Sequence, residues 1–280
     1  MASQIQSLIE IVQHLRSPSG CPWDRDQDLL SMRPYLLEET FELLEALDQQ
    51  DTPTSQQNLL LCEELGDLLF VILLLAQIAE DQQKFTKEEC FDTITKKMIQ
   101  RHPHVFDQDH QGKNTDSKSS ISTWERQKAK QKNKKSRLDG VPKNIPALLC
   151  SHRQGEKAAS VGFDWSNIDG VLDKVSEEWE ELQEAISSKD PIQIEHELGD
   201  MLMSLASLGR HVQTPPEAAL RKANNRFKSR FMMMEQLAKS KGWQLDQLSD
   251  SELDMLWNEA KQQTTSLQIQ EKKGTTTKEG

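Results

Sequence analysis

EEWEELQEAISSKDPIQIEHELGD, residues 177–200, is the stretch from which the fold follows. Helical spacing places Glu178 and Glu181 on one face, and Glu197 and Asp200 on one face of a second helix, with Lys189-Asp190-Pro191 as the turn between them. Two antiparallel helices thus bring four carboxylates to one spot. The same faces carry Leu198, Met201, Leu202 and Leu205, so the acids are costly to desolvate unless cations neutralise them. An all-oxygen set suits Mg²⁺, with Mn²⁺ as a substitute, rather than zinc.

The device occurs twice. Glu38-Glu39-Thr40-Phe41-Glu42 precedes Glu64-Leu65-Gly66-Asp67, and Glu-Leu-Gly-Asp recurs letter for letter at 197–200. Gly20-Cys21-Pro22-Trp23 stands against Gly162-Phe163-Asp164-Trp165, and the pair Lys97 and Arg101 against Arg226 and Arg230. An internal repeat of this length in 280 residues predicts two tandem domains. The expected bounds are 1–106 for the first, 107–140 for a polar and basic linker, 141–265 for the second, and 266–280 for a disordered tail.

Apolar residues recur at helical spacing over about 3–15, 34–48, 56–81 and 86–101. In the second half they do so in a short helix ending near 160, then over about 169–188, 191–212, 216–240 and 249–263. No stretch alternates with period two, so the fold class is all-α, two tandem four-helix-type domains. The 56–81 helix is apolar nearly all round and must be buried on several sides, either within its domain or by dimerisation into a helical bundle. Residues 20–28 read as a loop. Asp24, Asp26 and Asp28 begin like a calcium loop, but Leu29 and Tyr35 replace its glycine and final glutamate.

The net charge of −11 argues against general affinity for nucleic acid or acidic lipid. The basic run from Arg126 to Arg137 reads either as a nucleic-acid arm or as a solvated connector, and the lack of aromatics on which bases could stack favours the connector. Cys21, Cys62, Cys90 and Cys150 have neither zinc-site nor disulfide-scaffold spacing. They read as reduced thiols, which places the protein in the cytoplasm. No apolar run reaches the roughly 20 residues of a membrane helix.

Acid-lined helical sites have two common uses. A di-iron carboxylate bundle requires Glu-x-x-His pairs, and none occurs here. Phosphoryl chemistry on a nucleotide requires cations as well. Lys174 lies one turn before Glu177, and Arg226 and Arg230 lie one turn apart further on, where they could face phosphates.

These residues match a known family. The chain resembles MazG-type nucleoside triphosphate pyrophosphohydrolases from near its start to about residue 262. The resemblance is carried by Gly20-Cys21-Pro22-Trp23-Asp24, Leu37-Glu38-Glu39-Thr40, Glu64-Leu65-Gly66-Asp67-Leu68-Leu69-Phe70 and Arg101-His102-Pro103-His104-Val105-Phe106. Val161-Gly162-Phe163-Asp164-Trp165 and Lys222-Ala223-Asn224 continue it. It implies an all-α homodimer that uses Mg²⁺ to hydrolyse nucleoside triphosphates to monophosphate and pyrophosphate, a nucleotide-pool housecleaning activity.

By position, the resemblance implies metal ligands at Glu178, Glu181, Glu197 and Asp200, with a second set at Glu39, Glu42, Glu64 and Asp67. It also implies that the C-terminal copy is the catalytic one. Tyr35 stands in the first copy where the second has Lys174, so one phosphate-facing cation is missing there. Lys174, Arg226 and Arg230 are the expected phosphate groups. Glu177 either orients the attacking water or is an ordinary surface acid. The resemblance suggests that Trp257 stacks on the base, whereas the sequence alone reads it as a core anchor. Trp165 either lines the base pocket or pins its own loop, and His102 and His104 read as capping or packing residues. Two alternatives stay open: a non-catalytic metal- or nucleotide-binding regulator, and a narrower pyrophosphohydrolase such as one directed at dUTP.

Overall fold

The computed structural model describes residues 3–49, 53–106 and 136–276, with side chains through Ser266 except that of His104. Most of the expected linker therefore lies outside the described residues. Among the described residues the regular elements are helices with no strand, so the chain is all-α. No helix among them is long and apolar enough to cross a membrane. The chain divides into two units, Met1–Trp124 and Glu125–Gly280.

The first unit contains α1 (Gln4–Leu15), α2 (Pro22–Asp26), α3 (Arg33–Asp48), α4 (Ser55–Asp81), α5 (Lys87–Arg101) and α6 (Pro103–Phe106). Thr54 and Thr86 begin α4 and α5 with capping boxes closed by Gln57 and Glu89. α4 packs on α3 and α1, burying Val12, Met32, Val71, Leu73, Leu74 and Ile78 together. Full burial of such a side chain stabilises by about 1.5–3 kcal/mol.

A polar chain ties α1, α4 and α5 at one end of that core. Lys87 is buried; its Nζ donates to Gln77 Oε1 at 2.8 Å and pairs with Glu80. Gln77 Nε2 donates to Asp81 Oδ1 at 2.7 Å, and Asp81 Oδ2 accepts from Arg16 Nε at 2.5 Å. Burial pushes the Lys87 ammonium below its usual range.

Two expectations need correction. Residues 20–28 are not all loop, because Pro22 starts the short helix α2 and the Arg16 guanidinium holds its end by donating to the carbonyls of Asp24 and Gln27. In the second unit the last helix does not stop near 263 but runs Asp250–Thr276.

The second unit contains α7 (Ala147–Ala159), α8 (Ile168–Ser188), α9 (Pro191–His211), α10 (Pro216–Ser240) and α11 (Asp250–Thr276). Its centre is the antiparallel α8–α9 hairpin. Lys189 adopts the left-handed conformation (φ 57°) that stops α8, and Asp190 caps α9 by accepting from the Ile192 amide, with Pro191 in the first turn. That tight reversal sets the register in which positions 178 and 181 face 197. α7 packs on α9, and α10 packs on α11 around Met234, Ala238, Leu256 and Ala260.

Some apolar surface stays open among the described residues. Among the described residues Leu59, Leu65, Leu69 and Ile72 of α4 are exposed, although Val71, Leu73, Leu74, Ala76, Ile78 and Ala79 of its second half are buried.

Candidate active site

The buried residues of α8 are Val171, Glu178, Leu182 and Ala185, whose spacing of seven, four and three marks a single stripe. Glu178 therefore lies in an apolar seam by register, only 4% exposed. Glu181 lies one turn further on the same side, and α9 brings up Glu197. One carboxylate oxygen from each of Glu178, Glu181 and Glu197 lies within 4.8 Å of the others. Asp200 joins from the next turn of α9, grouped with Glu197 and His196.

Lys174 supplies the local positive charge. Its Nζ lies 2.8 Å from Glu177 Oε1 and 2.8 Å from Glu178 Oε1, and these two acids raise its pKa. The other oxygen of Glu178, Oε2, is buried and has no hydrogen-bond partner among the described residues. Such an atom is costly, since a buried polar group normally finds a partner. A divalent cation seated among the three carboxylates would supply it, and an all-oxygen donor set is the chemistry that Mg²⁺ and Mn²⁺ accept. The residues fit the ion on this ground.

Partial desolvation, together with the charges of Glu178 and Glu197, holds the Glu181 carboxyl above its usual range. The first copy repeats the pattern. Glu39, Glu64 and Asp67 offer oxygens within 4.8 Å, and desolvation followed by the charge of Glu42 raises both Glu39 and Glu64. A carboxyl raised on folding gives stability that is fully present below its unfolded pKa and is lost as pH rises through its folded pKa. Metal-free protein is thus penalised by these acids at neutral pH. Added Mg²⁺ or Mn²⁺ is expected to raise the melting temperature at pH 7.5 and to do so progressively less as pH falls through the carboxylate range. Calorimetry across that range checks this, and a cation effect independent of pH would count against it.

The remaining expected residues are more dispersed. Arg226 is exposed and Arg230 half-buried on α10, and among the described residues neither pairs with the acids. Trp257 packs on Phe227 with ring centroids 5.3 Å apart and lies against the Met234–Leu256 cluster, the place of a core anchor. Trp165 meets His211 edge-on at 6.3 Å and closes over Gly170, where a Cβ would lie 2.9 Å from its Cδ1. Tyr35, at the position matching Lys174, packs against the first unit's core and edge-on to Trp23 at 5.4 Å. His102 is half-buried, its Nδ1 2.7 Å from the Met98 carbonyl at the end of α5, whereas the side chain of His104 lies outside the described residues.

Two groups were not singled out from the sequence. His196 Nδ1 lies 3.3 Å from Glu197 and 3.4 Å from Asp200; its four-residue spacing from Asp200 was the available signal. Arg210 clasps Asp164 through two bonds of 2.7 and 2.5 Å, which holds the Asp164 carboxyl below its usual range and fixes the loop that leads into α8. An open cleft of about 660 Å³, lined in part by Glu181, Ser188, Gln193, His196 and Glu197, adjoins the acids and is of the size that takes a small-molecule ligand.

Comparison with known proteins agrees with this duplicated arrangement. A profile of the MazG nucleotide pyrophosphohydrolase domain matches residues 27–106 and 167–231, one segment in each unit. The nucleoside triphosphate pyrophosphohydrolase/pyrophosphatase MazG of Thermotoga maritima is 42% identical over 258 residues, covering 91% of this chain and 95% of that protein. The nucleoside triphosphate pyrophosphohydrolase of Escherichia coli K12 is 36% identical over 271 residues, covering 95% of this chain and all of that protein. With both halves matched and the acids of each half gathered by its own helix hairpin, the chain belongs to the MazG nucleotide pyrophosphohydrolase family.

Proposed function

We propose that the protein hydrolyses nucleoside triphosphates to nucleoside monophosphate and pyrophosphate at the acid cluster of its second unit, with Mg²⁺ as the working ion. The observation that carries the assignment to this copy is Glu178: buried, one oxygen on Lys174 and the other without a partner, beside Glu181 and Glu197. The first copy has comparable acids but Tyr35 in place of the lysine.

Glu178, Glu181, Glu197 and Asp200 would hold the ion. When bound, it supplies charge neutralisation for the triphosphate and a water of lowered pKa. Lys174 turns from Glu178 towards a phosphate oxygen on its four-carbon stem. Glu177, on the same helix and paired with Lys174, orients the water and takes its proton as the new P–O bond forms at the α-phosphorus. Pyrophosphate leaves with the bond it shared with that phosphorus. Arg226 and Arg230 offer guanidinium groups to the departing phosphates, and Trp165 and Trp257 are the aromatic candidates for the base.

A second copy of the chain completes the site. Leu172, Trp179 and Ile186 of α8 and Leu198, Leu202 and Leu205 of α9 remain between 39% and 52% exposed, more apolar surface on one hairpin than a monomer ordinarily leaves open. Gly199 lies on the same hairpin, and a Cβ there would meet nothing within 4 Å inside the chain. A mid-helix glycine costs about 0.5–1 kcal/mol against alanine, which close approach of a partner helix offsets. Free cysteines and a nucleotide substrate fit a cytoplasmic setting.

The test is a panel of ribo- and deoxyribonucleoside triphosphates incubated with purified protein and Mg²⁺, with pyrophosphate and monophosphate quantified and molar mass measured by light scattering. Equimolar products and a mass near twice 32.0 kDa are expected. Nucleotide binding with no turnover would instead identify a regulatory binder, and a single accepted nucleotide a narrow enzyme.

A further inference from the structure

We infer that Lys174 is the resident counter-ion of the acid cluster. Its ammonium holds the charge beside Glu178 until metal and nucleotide arrive together, then passes to the triphosphate, so that the two bind cooperatively through this side chain. The inference rests on the assignment of the acid cluster as the metal site.

The geometry is that of a shared cation. Lys174 Nζ lies 2.8 Å from Glu177 and 2.8 Å from Glu178, positions three and four residues on along α8. An ion pair at such spacing on an exposed helix contributes only a few tenths of a kcal/mol. Here one partner is 4% exposed, and among the described residues its second oxygen has no hydrogen bond and Lys174 is its one ion-pair partner. The stem of Lys174 is long, flexible and half-buried, and its head carries no planar constraint that would fix it to one acceptor. In the first copy Tyr35 occupies the matching position and packs against the core, so that copy has no such side chain to exchange.

A consequence follows that a purely structural or purely phosphate-binding lysine lacks. A cation near the ion's seat opposes metal binding when no nucleotide is present, and the opposition ends once phosphate accepts the lysine. By linkage, nucleotide strengthens metal binding by the factor that metal strengthens nucleotide binding, and part of that factor belongs to Lys174.

The test uses full-length protein with Glu39→Gln and Glu64→Gln, which silence the first copy, and follows free Mn²⁺ by electron paramagnetic resonance. Mn²⁺ alone is expected to bind about fivefold more tightly to Lys174→Met than to the parent, the scale of one modest ion pair. Lys174→Arg, which keeps the charge, should restore parental affinity. A non-hydrolysable triphosphate should enhance Mn²⁺ binding less in Lys174→Met than in the parent. Unchanged or weaker Mn²⁺ binding by Lys174→Met overturns the inference while leaving the metal site standing. Mn²⁺ binding that Glu178→Gln does not reduce overturns both.

Discussion

Glu178→Gln lowers kcat/KM for triphosphate hydrolysis by about 10²- to 10³-fold, the scale on which one preorganised group at a reacting phosphate is felt. The loss is expected without loss of fold. Glu178 lies in the seam among Val171, Leu182 and Ala185, and an amide of nearly the same volume removes a buried charge while keeping the packing. Metal-free Glu178→Gln protein should therefore melt at or above the parental temperature. Glu39→Gln, the matching change in the first copy, should leave turnover within about twofold of the parent. Steady-state kinetics and calorimetry on the two variants separate a catalytic role from a structural one. Loss of activity in Glu39→Gln with retention in Glu178→Gln would move the reaction to the other copy.

The second large effect is on stability. Arg210→Ala breaks the clasp on Asp164 and is expected to cost about 1.5–3 kcal/mol in urea unfolding of the second unit, because it removes two hydrogen bonds between charged groups. Asp164→Asn should cost less, since an amide still accepts one of the two bonds. The sign with pH is fixed by the lowered pKa of Asp164, whose leading cause is the hydrogen bond from Arg210. Stability from a depressed carboxylate is present above its unfolded pKa and is lost as pH falls through its folded pKa. The parent should lose this contribution on the acid side of the ordinary carboxylate range, and Arg210→Ala should show less of it, keeping the part that the Trp165 amide and His211 supply. Mn²⁺ affinity should stay at the parental value, because Asp164 and Arg210 sit at the opposite end of the α8–α9 hairpin from the turn, about three helical turns from Glu178 and Asp200.

What could be read from the sequence follows the range of each interaction. The acids at 178, 181, 197 and 200 are separated by three residues on a helix or by one short turn, so local periodicity and Pro191 place them together before any tertiary contact is known. The stripe at 171, 178, 182 and 185 even assigns Glu178 to the seam. Arg210 and Asp164 are 46 residues apart, and Arg16 and Asp81 are 65 apart; no local pattern joins them. Arg16 also shows why α2 was read as loop, for the guanidinium that holds its end comes from the preceding helix. Trp257 reads from the sequence as a core anchor, and the contact with Phe227, which lies 30 residues away, is beyond any local pattern. The end of α11 is less legible, because the polar residues after 263 are compatible with a helix as well as with its end. The exposed hydrophobics of α4, α8 and α9 are legible as apolar, but periodicity alone does not say which of them stay exposed among the described residues.

The most direct test of the central claim is anomalous diffraction from crystals grown with Mn²⁺ and a non-hydrolysable nucleoside triphosphate. The account predicts a manganese peak bounded by Glu178, Glu181, Glu197 and Asp200, in contact with phosphate oxygens and with Lys174 turned towards them. A peak confined to Glu39, Glu64 and Asp67, or a bound nucleotide whose phosphates lie away from the α8–α9 hairpin, would contradict it.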